Sequence, residues 1–455
     1  MTPAETNQVN VSANIGKAEA FRFWLKLGFI SFGGPAGQIA IMHRELVEAR
    51  RWISEKRFLH ALNYCMVLPG PEAQQLATYL GWLMHGSVGG IVAGVLFVLP
   101  SFIILIALAW IYMTFGDLTI VKGFFDGIKP AVAAIVLHAA WRIGGRTLKN
   151  MWLIVIALAA FIAIFIFDVP FPLIIAAAAL AGVVANRYYP RQFQLTETTA
   201  AQAASTPSIY ASLIDDNTPP PAHAMLSRAR MLRAALIGVA IWLMAFGWLI
   251  WHGGLSGILT QMAWFFTKAA MLTFGGAYAV LPYVYQGAVE TFQWVSPTQM
   301  MDGLALGETT PGPLIMVVAF VAYLGGVAND VAGGHAFLSG VLAATVVTFF
   351  TFLPSFIFIF VGAPFIESTR DNLRLAAPLR AITAAVVGVI VNLALFFVWH
   401  AWWPLGFLQS VNFMAIAISL GAAIALFRYQ TNVIWVIVAS GVLGAAVKLL
   451  ALPIA

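Results

Sequence analysis

The sequence predicts an all-α polytopic membrane protein. Its plan is two homologous inverted-topology repeats of about six hydrophobic segments each, plus one linking helix, with broken or re-entrant helices in both copies. Composition is the first of three observations behind this: of 455 residues, 61% are hydrophobic and only 9% charged, whereas soluble domains carry about 25% charged residues. The second is duplication. Phe32-Gly33-Gly34 recurs as Phe274-Gly275-Gly276, and Pro69-Gly70-Pro71 recurs as Pro311-Gly312-Pro313, at one offset (274 − 32 = 311 − 69 = 242). Lys26 and Lys268, Glu48 and Glu290, Trp52 and Trp294, and Ser54 and Ser296 keep the same offset. The third is charge. Arg44, Arg50, Arg51, Lys56 and Arg57 crowd one loop of the first copy, while its counterpart, Gln286–Gln299, holds no Lys or Arg.

In the first copy the apolar segments fall at about 20–42, 58–84, 88–115, 128–141, 151–167 and 171–187. In the second they fall at about 260–284, 299–325, 336–362, 379–399, 411–427 and 431–452. The polar tract 192–227 (QLTETTAAQAASTPSIYASLIDDNTPPPAHA and flanks) is too poor in apolar residues to fold by itself and reads as a linker. One unmatched helix at about 231–252 follows it, and an odd span after an even repeat inverts the second copy. The resulting organisation is an N-terminal repeat at 1–187, a flexible cytoplasmic linker at 188–230, a connecting transmembrane helix at 231–256 and a C-terminal repeat at 257–455. Residues 1–16 lack a basic stretch followed by an apolar core, so no cleaved leader is expected.

Basic loops face the cytoplasm by the positive-inside rule. Arg142, Arg146 and Lys149, the arginines from Arg187 to Arg233, and Arg370 with Arg374 all fit inside. Loop 44–57 fits inside only if segments 20–42 and 58–84 dip into the membrane and return. Each has a break where a hairpin would turn. Kinked but spanning helices are the alternative reading.

The breaks are the candidate site. Pro69-Gly70-Pro71 and Pro311-Gly312-Pro313 stop one helix and start another. A restarting helix offers free N–H groups and the positive end of its dipole, which suits an anion. Broken helices persist at membrane depth only where protein or a watery cavity surrounds them. Phe32-Gly33-Gly34 and Phe274-Gly275-Gly276 either cradle an oxyanion with consecutive amides or allow close helix packing. Lys26 and Lys268, six residues before each FGG, are candidate cations for the substrate, though a lysine near a segment end also snorkels. Glu72 and Glu308 are candidate proton carriers, with capping of the restarting helix as the other role for Glu72. Gln74 and Gln75 offer neutral donors, and their counterparts, Met316 and Val317, do not. Trp52 and Trp294 read as interface aromatics, Ser54 and Ser296 as helix caps, and His60 and Asp302 as interfacial helix-end residues.

Other classes are disfavoured. Cys65 is the lone cysteine, and no two histidines stand at metal-ligand spacing, so no metal or cofactor is expected. There is no phosphate-loop motif and no acid/base constellation for an enzyme. The net charge of +6 sits in short loops and marks topology, not nucleic-acid binding. The partners expected are an oxyanion and the lipid bilayer, and a homodimer is left open.

Phe32-Gly33-Gly34-Pro35 with a basic loop and Trp52, then Leu68-Pro69-Gly70-Pro71-Glu72, resembles the signature of the chromate ion transporter family. Phe274-Gly275-Gly276 with Thr310-Pro311-Gly312-Pro313 is similar to its C-terminal half, so the resemblance covers about 20–187 and 257–452, as in the long two-domain members. It implies a bacterial inner-membrane protein that exports chromate and confers chromate resistance, with sulfate as a competing look-alike. Ala277 and Leu314 stand where the first copy has Pro35 and Glu72, a departure from the pattern in the second half. Sulfate or another anion, and a channel in place of a transporter, are the alternatives.

Overall fold

The computed structural model describes residues 15–32, 34–188, 212–215, 218, 221, 223–274, 276–368, 376–404 and 411–450. The first copy comprises α1 (Lys17–Ile30), α2 (Gly34–His43), α3 (Glu55–Cys65), α4 (Glu72–Phe115), α5 (Thr119–Thr147), α6 (Met151–Phe167) and α7 (Phe171–Tyr188). Between the copies stands α8 (Arg228–Gly253). The second comprises α9 (Ile258–Leu272), α10 (Leu281–Tyr285), α11 (Pro297–Thr309), α12 (Val317–Ala328), α13 (Ala336–Ser368), α14 (Ala376–Trp402), α15 (Phe413–Phe427) and α16 (Val433–Leu450). Among the described residues five helices are long and apolar enough to cross a membrane, namely α4, α8, α13, α14 and α16. Of these α8 is the outermost, with 11% of its apolar window buried and Leu236, Ile237, Met244 and Trp248 facing outward.

Local backbone repeats with the sequence. A π-helical turn follows the FGG region in both copies, at Arg44–Ala49 and Gln286–Thr291. Each turn is left through a residue in the left-handed region, Arg51 and Gln293, both with φ 52°. Ser54 and Ser296 then cap α3 and α11, accepting from the amides of Arg57 and Gln299. Trp52 and Trp294 are not interface residues: they are buried at 4% and 3% exposure. Their amides bond to Leu46 O and Ala288 O, each at 2.8 Å. Both rings pack against the start of their own copy, Trp52 on Phe23 and Trp294 on Phe265 and Phe266.

At 44 residues α4 is not one span. His85 and Gly86 (φ 65°) break it, and its two arms fold back on each other. A Cβ placed on Gly81 would lie 2.5 Å from Gly89 O, and one on Gly94 would lie 2.3 Å from Thr78 Oγ1. Small residues let helices touch this closely inside a membrane. The second copy makes the same hairpin from two helices, α12 and α13, with Gly326 against Ser339 and Gly340 against Tyr323.

The copies interlock. α5 packs on α14, α15 and α16 of the second copy, and α14 packs on α5, α6 and α7 of the first. α4 packs on α13 in the same self-paired way.

The described part of the polar tract is docked. Ile214 forms a bridge with Ile53, donating to Trp52 O at 3.0 Å while Ser54 donates back to Ile214 O at 3.0 Å. The Arg57 guanidinium donates to Thr218 O. His223 meets Trp82 O at 2.8 Å, and His85 meets Ile15 O at 2.8 Å. The start of α3 and the turn of α4 therefore share one polar face with residues 15, 214, 218 and 223.

Candidate functional site: the crossed breaks

Four chain breaks meet where the copies interlock. Helix α3 gives way to Pro69-Gly70-Pro71, and α4 restarts at Glu72 with Pro71 in the capping position and no side-chain cap. Helix α11 ends at Thr309, and after Pro311-Gly312-Pro313 a short 3₁₀ turn, Leu314–Met316, leads into α12. Gly70 and Gly312 hold φ values of 128° and 98°, a region an L-residue rarely enters. At the other pair of breaks α1 ends before Phe32 and α9 before Phe274, and Gly34 (φ 68°) and Gly276 (φ 100°) restart the chain. Gly33 and Gly275, the middle residues of the two FGG motifs, lie outside the described residues.

The breaks exchange hydrogen bonds across the copies. The Gly70 amide donates to Thr273 O at 2.7 Å, and the Gly312 amide donates to Ser31 O at 2.8 Å. Each PGP of one copy is thus held by the residue that precedes the FGG of the other. Ser31 and Thr273 are buried, and their hydroxyls bond back to Leu27 O (2.6 Å) and Ala269 O (2.7 Å).

Side-chain amides reinforce the first copy's part. Gln38 is 1% exposed, and its Nε2 donates to Gly312 O at 2.5 Å. Gln75 donates to Pro69 O at 2.7 Å, and Gln74 to Thr78 Oγ1 at 3.0 Å. The Oε1 atoms of all three are buried and unpartnered. The position of Gln38 is Val280 in the second copy, so the crossing is not chemically symmetric. Two serines press on the turns: a Cβ on Gly70 would lie 2.4 Å from Ser355 Oγ, and one on Gly312 would lie 2.7 Å from Ser101 Cβ.

The charged candidates fall elsewhere or at the rim. Lys26 is more than half exposed and lies 3.9 Å from Glu45. Lys268 lies over the Trp264 ring, 5.6 Å from its centre. Neither has a contact with a break among the described residues. Glu308, half-buried, accepts a hydrogen bond from Tyr278 O–H, one residue from the Gly276-Ala277 restart. Glu72 is the first helical residue of α4, directly after Pro71 in the capping position. Asp302 is not interfacial: it is 1% exposed, accepts from Tyr112 O–H at 2.9 Å and lies 3.8 Å from Lys129 Nζ. It belongs to a polar cavity of about 280 Å³ at the ends of α4, α5 and α11, lined also by Asp117, Asp126 and Lys122. Among the described residues no group of three His, Cys, Asp or Glu is placed to hold a metal ion.

Sequence reasoning missed Gln38, Ser101 and Ser355. Gln38 has no repeat partner to flag it. The serines do have a signal, since Leu-Pro-Ser-Phe-Ile occurs at 99–103 and again at 353–357. That pair is 254 residues apart (355 − 101), so it falls off the 242 offset and escapes an ungapped comparison.

A multi-pass helical protein whose two copies join through broken helices has the build of a membrane transport protein. The model of the chromate transporter family matches residues 18–183 and 260–445, and the chain belongs to that family, a transport family and not an enzyme family. It is 32% identical over 435 residues to the chromate transport protein of Pseudomonas aeruginosa, covering 94% of this chain and 91% of the relative. It is 31% identical over 373 residues to the chromate transport protein of Cupriavidus metallidurans, covering 81% and 80%. A probable chromate transport protein of Synechococcus elongatus is 28% identical over 373 residues, covering 82% of each. No solved structure matches the chain.

Proposed function

We propose that this chain exports a small tetrahedral oxyanion, chromate first and sulfate as its competitor, across the bacterial inner membrane by alternating access between two inverted repeats. The exchange of Gly70 and Gly312 amides between the copies carries the reading. A reciprocal contact, in which residue i of one unit meets residue j of the other and the reverse, is the mark of a two-fold relation. Transporters with such repeats bind their substrate where discontinuous helices meet at the midplane.

Element lengths favour re-entry. At 1.5 Å per residue, α1 with 14 residues and α11 with 13 reach about 20 Å, short of the roughly 30 Å hydrocarbon core. Both α3 and the first arm of α4 begin or end near the docked tract, which supports a hairpin with the PGP at its tip and both ends on one face. This keeps the basic loop at 44–57 on the same side as the linker, which the charge rule makes cytoplasmic.

The anion is met by backbone amides, by the free N–H groups at the start of α4 and by neutral side chains. Lys26 and Lys268 act at most in attraction, because their neighbours are Glu45 and the Trp264 ring. Glu308, bonded to Tyr278 beside the second restart, is the coupling carboxylate, and Glu72 a secondary one.

The test is labelled chromate accumulation in cells expressing the chain, with and without excess sulfate and an uncoupler. Lower accumulation that the uncoupler restores is the expected result, with sulfate slowing export. Unchanged accumulation refutes the substrate, and export indifferent to the uncoupler refutes the coupling.

A further inference from the structure

The two helices that press on the PGP turns carry the same five residues, Leu99-Pro100-Ser101-Phe102-Ile103 in α4 and Leu353-Pro354-Ser355-Phe356-Ile357 in α13. Ser101 sits against Gly312 and Ser355 against Gly70, so each serine reaches the turn of the opposite copy. They are 1% and 0% exposed. Neither hydroxyl has a hydrogen-bond partner.

Among the described residues Thr260 and Thr348 also leave a buried hydroxyl unpartnered, but Ser101 and Ser355 do so at matched positions of the two copies. A serine or threonine inside a helix ordinarily bonds the carbonyl four residues back, and Ser31, Thr267, Thr273, Thr345, Thr351 and Thr383 all do so here. A buried hydroxyl without a partner is unfavourable, yet the same position carries one in both copies. Packing alone gives no reason for it, since alanine fills nearly the same space without the penalty. A proline directly before each serine removes a helix amide and loosens the helix at that point, placing the free hydroxyl at a site able to bend.

We propose that the Ser101 and Ser355 hydroxyls are a pair of oxyanion donors, one supplied across each copy boundary to the turn it faces. The proposal rests on the crossed breaks being the oxyanion site and adds two side chains to it. Each hydroxyl donates to an anion oxygen once the neighbouring turn admits the substrate.

Ser101→Ala and Ser355→Ala test it by labelled chromate transport in membrane vesicles, with protein level and thermal stability measured in parallel. Each variant should raise KM for chromate about tenfold, the loss of one hydrogen bond to a charged group. The melting temperature should hold or rise, because an unpaired buried hydroxyl has been removed. As a second readout, Ser101→Cys and Ser355→Cys in a Cys65→Ala background should react with N-ethylmaleimide during turnover and be protected by sulfate. Unchanged KM in the alanine variants beside a defective Gly312→Ala overturns the donor pair and leaves the site reading standing. Normal transport by Gly312→Ala as well overturns both. A thiol that reacts equally with and without sulfate also overturns the donor pair.

Discussion

Gly312→Ala is the sharpest test of the crossing. Gly312 holds φ 98°, and its amide donates to Ser31 O at 2.8 Å. An added Cβ meets Ser101 Cβ at 2.7 Å, an atom fixed to the α4 backbone that no rotamer change can move aside. Two penalties combine. A left-handed L-residue costs ~1–2 kcal/mol, and forcing a methyl into a packed site costs ~1–3 kcal/mol. Together they disfavour the crossed conformation by ~2–5 kcal/mol. At 1.4 kcal/mol per tenfold change in population, transport that passes through this state slows about 30- to 4,000-fold. Gly34→Ala is the control: its φ is 68° but a Cβ there meets nothing within 4 Å. Only the strain remains, and the loss is about 5- to 30-fold. The assay is labelled chromate accumulation, normalised to membrane-inserted protein by immunoblot. If Gly312→Ala exports at the wild-type rate with wild-type protein level, or if Gly34→Ala is the worse of the two, the crossed turn is not part of the transport cycle.

Gln38→Leu leaves Gly312 O buried without its side-chain donor. A loss of ~1–3 kcal/mol follows, read as a lower melting temperature in detergent together with reduced export. Glu308→Gln keeps a partner for Tyr278 but cannot carry a proton. Export should lose its uncoupler sensitivity while exchange of anion down its own gradient persists, and retained sensitivity moves the coupling role off Glu308. Ile214→Pro deletes the amide that bonds Trp52 O at 3.0 Å. It should loosen the docked tract by ~1 kcal/mol, seen as faster limited proteolysis between the copies. Unchanged digestion would mean the bridge does not hold the tract.

Residue types that break helices were legible in the sequence, and they located both pairs of turns. A proline or glycine acts through its own backbone, so a string of letters reveals it directly. The repeat was legible for the same reason, down to the capping serines at 54 and 296. Burial was not. Trp52, Trp294 and Asp302 sit near segment ends, where composition suggests an interface, yet the two tryptophans are enclosed by the start of their own copy and Asp302 by Tyr112 and Lys129 of the other. Lysine placement was hidden too, because the offset says where Lys26 and Lys268 stand in the repeat but not which way they point. The docking of Leu213, Ile214 and Thr218 depends on backbone hydrogen bonds and one arginine, which a polar, apolar-poor stretch does not advertise. Ser101 and Ser355 were obscured by length, since the second copy spends 12 more residues between PGP and LPSF (39 against 27).

The crossed amides have a consequence for how such a chain can arise. Each half presents an incomplete turn that only the other half completes, so one copy alone has an amide and a carbonyl left over at its centre. Two half-length chains would have to meet to close both turns, and the closed fraction would follow their abundance in the membrane. Joining the halves through α8 makes that meeting intramolecular. It also releases the halves from being identical. Gln38 against Val280, and Glu72 against Leu314, are differences that a pair of identical subunits could never carry.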